Sequence, residues 1–209
     1  MIVHKNIEQG TQAWHSLRAG IPTSSEFGNI ITPVTGALSA SAEGYAEIKA
    51  IEIMLKENIV NDFANEYMER GKVLENQAAD QYELIYNVDT EVVGFVTDDK
   101  GHYGCSPDRM IPSDNGGLEI KCLGITKHAH HIFSEEIDKV HKPQIMGQML
   151  IAELDYVDYW MYHPSLPPVR VKTVRDDSYI AKLEKHLITF REMLADKVDV
   201  LIKKGLIEV

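Results

Sequence analysis

Three ionisable residues in the middle of the chain have the types and spacing of a site for phosphodiester hydrolysis. Ser106-Pro107-Asp108 is followed, after a turn, by Gly117-Leu118-Glu119-Ile120-Lys121-Cys122. Side chains alternate faces along a strand. Leu118, Ile120 and Cys122 therefore point into a core, while Glu119 and Lys121 lie side by side on the other face. Asp108 ends the preceding strand, so if the two strands pair its carboxylate converges on the same point. Two carboxylates and a backbone carbonyl make a hard oxygen site suited to Mg²⁺ or Mn²⁺. A lysine is a poor ligand for such an ion, but its ammonium can hold an attacking water or neutralise charge that develops at phosphorus. A Glu and a Lys two apart on a strand are also the pattern of a solvated face, and Asp is common in turns. From spacing alone, the two readings stand level.

The elements that must position these residues can be read from periodicity. Glu91 to Thr97 predicts a strand, 98–101 a turn, Gly104 to Ile111 a second strand, Asp114 to Gly117 a turn, and Leu118 to Cys122 a third strand, forming a meander. Upstream, the small and polar stretch Thr32 to Gly44 reads as a loop with scope to move. Tyr45 to Glu57 predicts a helix with Ile48, Ile51, Met54 and Leu55 on one side. Glu66 to Tyr86 predicts another, with Leu74, Ala78 and Ile85 facing the core. Downstream, Lys142 to Leu154 reads as a helix with Pro143 in its first turn. Tyr156 to Tyr162 and Val169 to Val174 read as strands, and Asp177 to Lys204 as a long amphipathic helix. This order implies a mixed sheet flanked by helices, an α/β or α+β sandwich.

The chain has 209 residues, which suits one domain, 1–209, with a sizeable core. No apolar run is long enough to span a membrane, and the first residues lack the pattern of a signal peptide. With only Cys105 and Cys122, a disulfide scaffold is not the design. Both read as small buried hydrophobes, and a cytoplasmic setting is expected. The net charge of −11 argues against a protein that coats nucleic acid indiscriminately. It does not exclude an enzyme with a local basic channel, whose metal-holding carboxylates enter the same count.

Asp108 with Glu119-Ile120-Lys121 resembles the PD-(D/E)XK nuclease signature. A wider set resembles the phage lambda-type, or viral recombinase, exonucleases over nearly the whole chain. Its carriers are Ala13-Trp14-His15-Ser16-Leu17-Arg18, Thr23-Ser24-Ser25-Glu26, Gly71-Lys72 with Glu75, Cys105-Ser106-Pro107-Asp108, Leu118-Glu119-Ile120-Lys121-Cys122 and Gln144. The resemblance implies a restriction-endonuclease-like core and a metal-dependent 5′→3′ exonuclease. Such an enzyme degrades one strand of linear duplex DNA to 5′-mononucleotides and leaves a 3′ overhang for strand annealing. It implies that Asp108, Glu119 and the Ile120 carbonyl bind one or two Mg²⁺, with Mn²⁺ substituting. Lys121 would assist the nucleophilic water, Glu75 would organise water, and Gln144 would support substrate or water. Arg18, Ser25 and Ser106 would form a pocket for the 5′-phosphate, with Ser24 the alternative to Ser25. Trp14 belongs to that wall or to the core, and a lone tryptophan favours the core. A homotrimeric ring and a single-strand annealing protein are the implied partners. A structure- or sequence-specific endonuclease on the same core, or a decayed DNA-binding module, is the alternative.

Several residues fall outside this pattern. Arg109 follows the aspartate where a glycine is frequent, and reads as an added phosphate contact or a surface charge. Asp98 stands where some relatives carry another acid, in a turn that explains it equally well. His128, His130 and His131 lack a zinc framework and read as polar surface or DNA-facing groups. His141 is the histidine expected to approach the site, because Gln144 lies one turn away. Lys127, Lys139 and Lys142 read as solvated charges that could also reach phosphates. Gln144 and Gln148, four apart, share one helix face, while Ile145 and Met149 serve the core.

Overall fold

The computed structural model describes residues 1–59 and 66–208. The side chain of Lys72, one of the motif positions, lies outside the described residues. The chain runs through β1 (Ile2–His4), α1 (Gln12–Arg18), a 3-10 turn (Ser24–Asn29), α2 (Ala42–Leu55) and α3 (Glu66–Tyr86). Short strands follow: β2 (Phe95–Thr97), β3 (Gly104–Cys105), β4 (Arg109–Ile111) and β5 (Gly116–Cys122). Then come α4 (Ile125–Ser134), α5 (Lys142–Ile151), β6 (Tyr156–Tyr162), β7 (Val169–Val174) and α6 (Asp177–Lys203).

The expected mixed sheet is present, in the order β4-β5-β6-β7. β5 runs antiparallel to β4 and parallel to β6, and β7 returns antiparallel to β6. The parallel pair requires a crossover, which α4 and α5 supply. Both faces of the sheet are covered. Leu118, Ile120, Trp160 and Tyr162 meet Ala78, Ala79 and Tyr82 of α3 on one face. Val157, Tyr159 and Met161 meet residues of α5 and α6 on the other. All seven residues of β6 are buried in consequence.

The meander is interrupted. The strand predicted from Gly104 to Ile111 is two strands in two sheets, because β3 belongs to the smaller β1-β2-β3 sheet and β4 to the mixed one. Pro107 sits at the break, where a missing N–H cannot continue a ladder. The strand predicted from Glu91 begins at Phe95 instead. At Gly94 a Cβ would lie 1.8 Å from the Ile7 carbonyl oxygen, so the chain crosses close to the N-terminal segment there. Residues 91–94 keep only a bridge from Glu91 to Met110.

The helix faces also differ from periodicity. In α2, Ile48 and Leu55 are exposed, and Tyr45, Ala46, Lys49, Ala50 and Glu52 are buried. Glu52 is satisfied there by the Lys49 ammonium at 2.8 Å and the Gly20 N–H at 2.9 Å, which lets a polar pair occupy the inner face. In α3, Ile85 is exposed and Tyr82 takes the core position. α2 starts at Ala42, so Gly44 lies in its first turn and the preceding loop is shorter than expected. That loop is tied to α6: Tyr179 Oη donates to the Thr32 carbonyl at 3.1 Å and His186 Nε2 to the Gly36 carbonyl at 3.2 Å.

α6 is capped by Asp176, which accepts the Tyr179 N–H at 3.0 Å and pairs with Lys142 of α5 at 2.7 Å. The Lys142 ammonium first, then the Tyr179 N–H, hold the Asp176 carboxyl at about 2. A depressed folded-state pKa adds stability above the ordinary carboxyl range and loses it as pH falls toward 2. The group is half-exposed, so the ion pair itself adds little. Asp176→Ala is expected to cost about 1 kcal/mol, mostly through the cap. Urea unfolding of parent and variant should show that gap at neutral pH and a smaller one in acid.

Candidate active site

β4 pairs with β5 over three residues, ending at Arg109 opposite Leu118. Continuing that register would set Ile120 against Pro107. Because the strand breaks there, the Pro107 carbonyl accepts from Gln9 Nε2 at 3.1 Å, and the Ile120 N–H donates to Asp108 Oδ2 at 2.6 Å. The ladder's open amide thus draws the Asp108 carboxylate onto β5, beside Glu119 and Lys121.

Glu119 is buried, at 1% exposure. Its Oε1 accepts from Lys121 Nζ at 2.5 Å and Gln144 Nε2 at 2.7 Å, and its Oε2 accepts from Gln148 Nε2 at 2.6 Å. Both amides come from one face of α5. Gln148 is a site residue beyond those expected; its spacing of four from Gln144 is the signal that it could share that role. α5 in turn packs tightly on the 3-10 turn, where a Cβ at Gly147 would lie 2.5 Å from the Phe27 ring and 3.0 Å from Ser24 Cβ.

Burial, the Glu119 charge and, more weakly, the Glu75 charge raise the Asp108 carboxyl well above its usual range. Burial also raises Glu75, against the opposing charge of Arg109. Burial works against the Lys121 ammonium, but Glu119 and Asp108 outweigh it, and Lys121 holds its proton more tightly than a free lysine. The Glu119 charge thus disfavours ionisation of Asp108 and Glu75, a conflict that a bound cation relieves. Asp108 and Glu119 offer hard oxygen donors, which fit a divalent ion such as Mg²⁺ or Mn²⁺. Among the described residues, no three Asp, Glu, His or Cys side chains form a ready ligand group. A metal here would therefore draw on this pair, backbone oxygen and water.

A second cluster lies next to the first, joined to it by Ser106-Pro107-Asp108. Arg18, at the end of α1, donates from Nη1 to Ser106 Oγ at 3.3 Å and from Nη2 to Thr23 Oγ1 at 3.1 Å. Thr23 Oγ1 lies 3.3 Å from Ser25 Oγ. Trp14 donates from Nε1 to the Gly94 carbonyl at 2.9 Å and to Ser106 Oγ at 3.2 Å, with the Arg18 guanidinium 3.9 Å above its ring. Burial lowers the Arg18 pKa to about 10, and Arg18 Nε is buried with no partner among the described residues. A cationic fork surrounded by hydroxyls suits a phosphate.

Trp14 is half-buried, contrary to the expectation of a core position, and its contacts are with Arg18 and Ser106 of this cluster. Ser25 is exposed and joins the hydroxyl cluster, whereas Ser24 is buried beneath α5. Thr23 had no assigned role, and its place in the motif next to Ser24 and Ser25 was the available signal.

Other expected groups lie elsewhere. Arg109 does not join the Arg18 cluster. It is 8% exposed, and its guanidinium donates to Asn76 Oδ1 at 2.7 Å, the Asp108 carbonyl at 2.9 Å and Glu75 Oε1 at 3.5 Å. Asp98 closes its own turn by accepting the His102 and Tyr103 N–H groups. His128 and His131 are buried and not surface groups. They donate to the carbonyls of Pro167 at 2.8 Å and Glu136 at 2.9 Å, fixing α4. His130, Lys127 and Lys139 are exposed. The His141 ring lies 5.5 Å from that of Tyr159, and burial first, then Lys121, lowers its pKa. Cys105 is buried, Cys122 is partly buried, and they form no disulfide.

The sequence profile of the YqaJ-like viral recombinase domain matches residues 13–155. No curated protein matches the chain. Among solved structures it is similar to an alkaline exonuclease (LHK-Exo) from Laribacter hongkongensis, with a TM-score of 0.83 and 24% identity over 93% of this chain and 98% of that one. The same exonuclease in complex with dAMP gives a TM-score of 0.81 and 25% identity, with the same coverage. A phage related exonuclease from Haemophilus somnus gives 0.64 and 16% over 88% of this chain and 96% of that one. The fold is thus that of the PD-(D/E)XK exonucleases.

Proposed function

The chain belongs to the YqaJ-like viral recombinase family, and from that premise we propose that it is a metal-dependent 5′→3′ exonuclease acting on the ends of duplex DNA. One observation carries the reading. Ser106 of the Arg18 cluster and Asp108 of the carboxylate cluster are two residues apart, a span of about 7 Å at most. A strand end anchored by its 5′-phosphate in the first cluster presents its next phosphodiester to the second. Cleavage there releases one 5′-mononucleotide, and a relative of this fold was solved with dAMP.

The Asp108 and Glu119 carboxylates, with the Ile120 carbonyl, would hold Mg²⁺ or Mn²⁺, one or two ions per site. Such an ion would supply Lewis acidity toward phosphorus and a bound water of lowered pKa. Lys121 supplies a fixed ammonium, and Gln144 and Gln148 keep the Glu119 carboxylate in one orientation. Glu75 orders water at the edge of the site. The whole chain acts as one exonuclease domain in the cytoplasm. It assembles as a homotrimeric ring around DNA and hands a 3′ overhang to a single-strand annealing protein. Among the described residues, no helix is long and apolar enough to cross a membrane.

The test is a linear duplex with a 5′-phosphate at one end and a 5′-hydroxyl at the other, beside a closed circle, with Mg²⁺ and with chelator. The expected result is metal-dependent loss of the phosphorylated strand, release of mononucleotides and an intact circle. Cutting of the circle would make the protein an endonuclease. No cleavage with any divalent ion would leave a DNA-binding module.

A further inference from the structure

We infer that Arg109 is a positioning residue that acts through Glu75 and does not contact DNA; the inference rests on the nuclease reading of the same site. Arg109 opens β4, immediately after Asp108, and its side chain is 9% exposed. A guanidinium donates in a fixed plane and can join several acceptors rigidly. Here it joins three: the Asn76 amide oxygen at 2.7 Å, the backbone carbonyl of Asp108 at 2.9 Å and the Glu75 carboxylate at 3.5 Å. Two of these lie on α3 and the third on the chain that carries Asp108. Arg109 is therefore a polar tie between α3 and the break in the sheet.

The charge arrangement gives the tie a direction. Burial is the largest effect against the ionised Glu75 carboxyl, Arg109 favours that form, and Glu119 opposes it more weakly. Without the guanidinium, the Glu75 side chain, 36% of which is already exposed, can swing toward solvent. With it, the Glu75 carboxylate is held against the Arg109 guanidinium, which also binds the carbonyl of Asp108. A buried arginine with three acceptors in place has little of its fork left for a phosphate.

A double-mutant cycle on Arg109→Ala, Glu75→Gln and the pair tests this, with Arg109→Lys as the conservative variant. Arg109→Ala should lower kcat on the order of ten-fold or more and leave KM for DNA and its salt dependence close to those of the parent. In the Glu75→Gln background, Arg109→Ala should have no further effect on kcat. Arg109→Lys, a single point donor, should restore only part of it. A readout without metal or DNA accompanies these: in chelator, the Tm losses of Arg109→Ala and Glu75→Gln should be less than additive. Independent, additive effects would overturn the inference, as would a raised KM with a shallower salt dependence, the signature of a lost phosphate contact. If the parent itself cleaves nothing, the nuclease reading fails, and the Tm cycle still decides whether Arg109 and Glu75 are coupled.

Discussion

Lys121→Ala is expected to lower kcat on the order of 100- to 1,000-fold, the loss seen when one fixed donor to developing charge is removed, while binding of DNA and Mn²⁺ largely persists. The reason lies in how the ammonium is held. Its partner Glu119 is locked by three donors, Lys121, Gln144 and Gln148, so Nζ has a fixed place. Its proton is held more tightly than in a free lysine because Glu119 and Asp108 outweigh its burial. In the proposed mechanism it acts as a cation, and not as a base that must first lose a proton. The pH profile of the parent should accordingly carry no limb from Lys121 within its ordinary range. Single-turnover cleavage, gel-shift binding and Mn²⁺ calorimetry separate these effects. A variant that cleaves near the parent rate removes Lys121 from the chemistry; one that no longer binds DNA makes it a binding residue.

Arg18→Ala is expected to abolish the preference for a 5′-phosphate. A charge-assisted hydrogen bond contributes about 1.5–3 kcal/mol, so kcat/KM on phosphorylated ends should fall roughly 10- to 100-fold. On 5′-hydroxyl ends it should hardly change. The prediction follows from a guanidinium that is stacked on Trp14, bonded to Ser106 and Thr23, and left with a buried Nε lacking a partner among the described residues. Arg18→Lys keeps the charge but loses the fork, and should recover only part of the discrimination. Competition between the two duplexes in one reaction gives the ratio directly. Equal losses on both ends would mean that Arg18 supports the fold around α1 and reads no phosphate.

Long periodic elements and the strand β5 were legible in the sequence, because alternation and helical spacing are local properties. Leu118 and Ile120 face α3, and Glu119 and Lys121 face the other way, as the alternation of a strand requires. The same local logic failed where burial is set by partners distant in sequence. Lys49 and Glu52 occupy an inner face because they satisfy each other and Gly20, and no periodicity of apolar residues can register that. His128 and His131 looked like surface groups because the carbonyls that receive them, of Pro167 and Glu136, are fixed only in the fold.

The sequence by itself determined that two acids and a lysine stand where paired strands could bring them together, a pattern level with a solvated face on spacing alone, while the arginine with hydroxyls upstream came from the family resemblance. Only the tertiary structure decided how these groups meet. A break at Pro107 turns one predicted strand into two and sends the Asp108 carboxylate to the Ile120 amide. That break also places Ser106 against Arg18 and Trp14. It leaves Arg109 facing α3, where its fork holds Asn76 and Glu75. Residue types are written in the chain, but the partner of each polar group depends on which amides and carbonyls the sheet leaves unpaired, and that is settled only when the strands are in register.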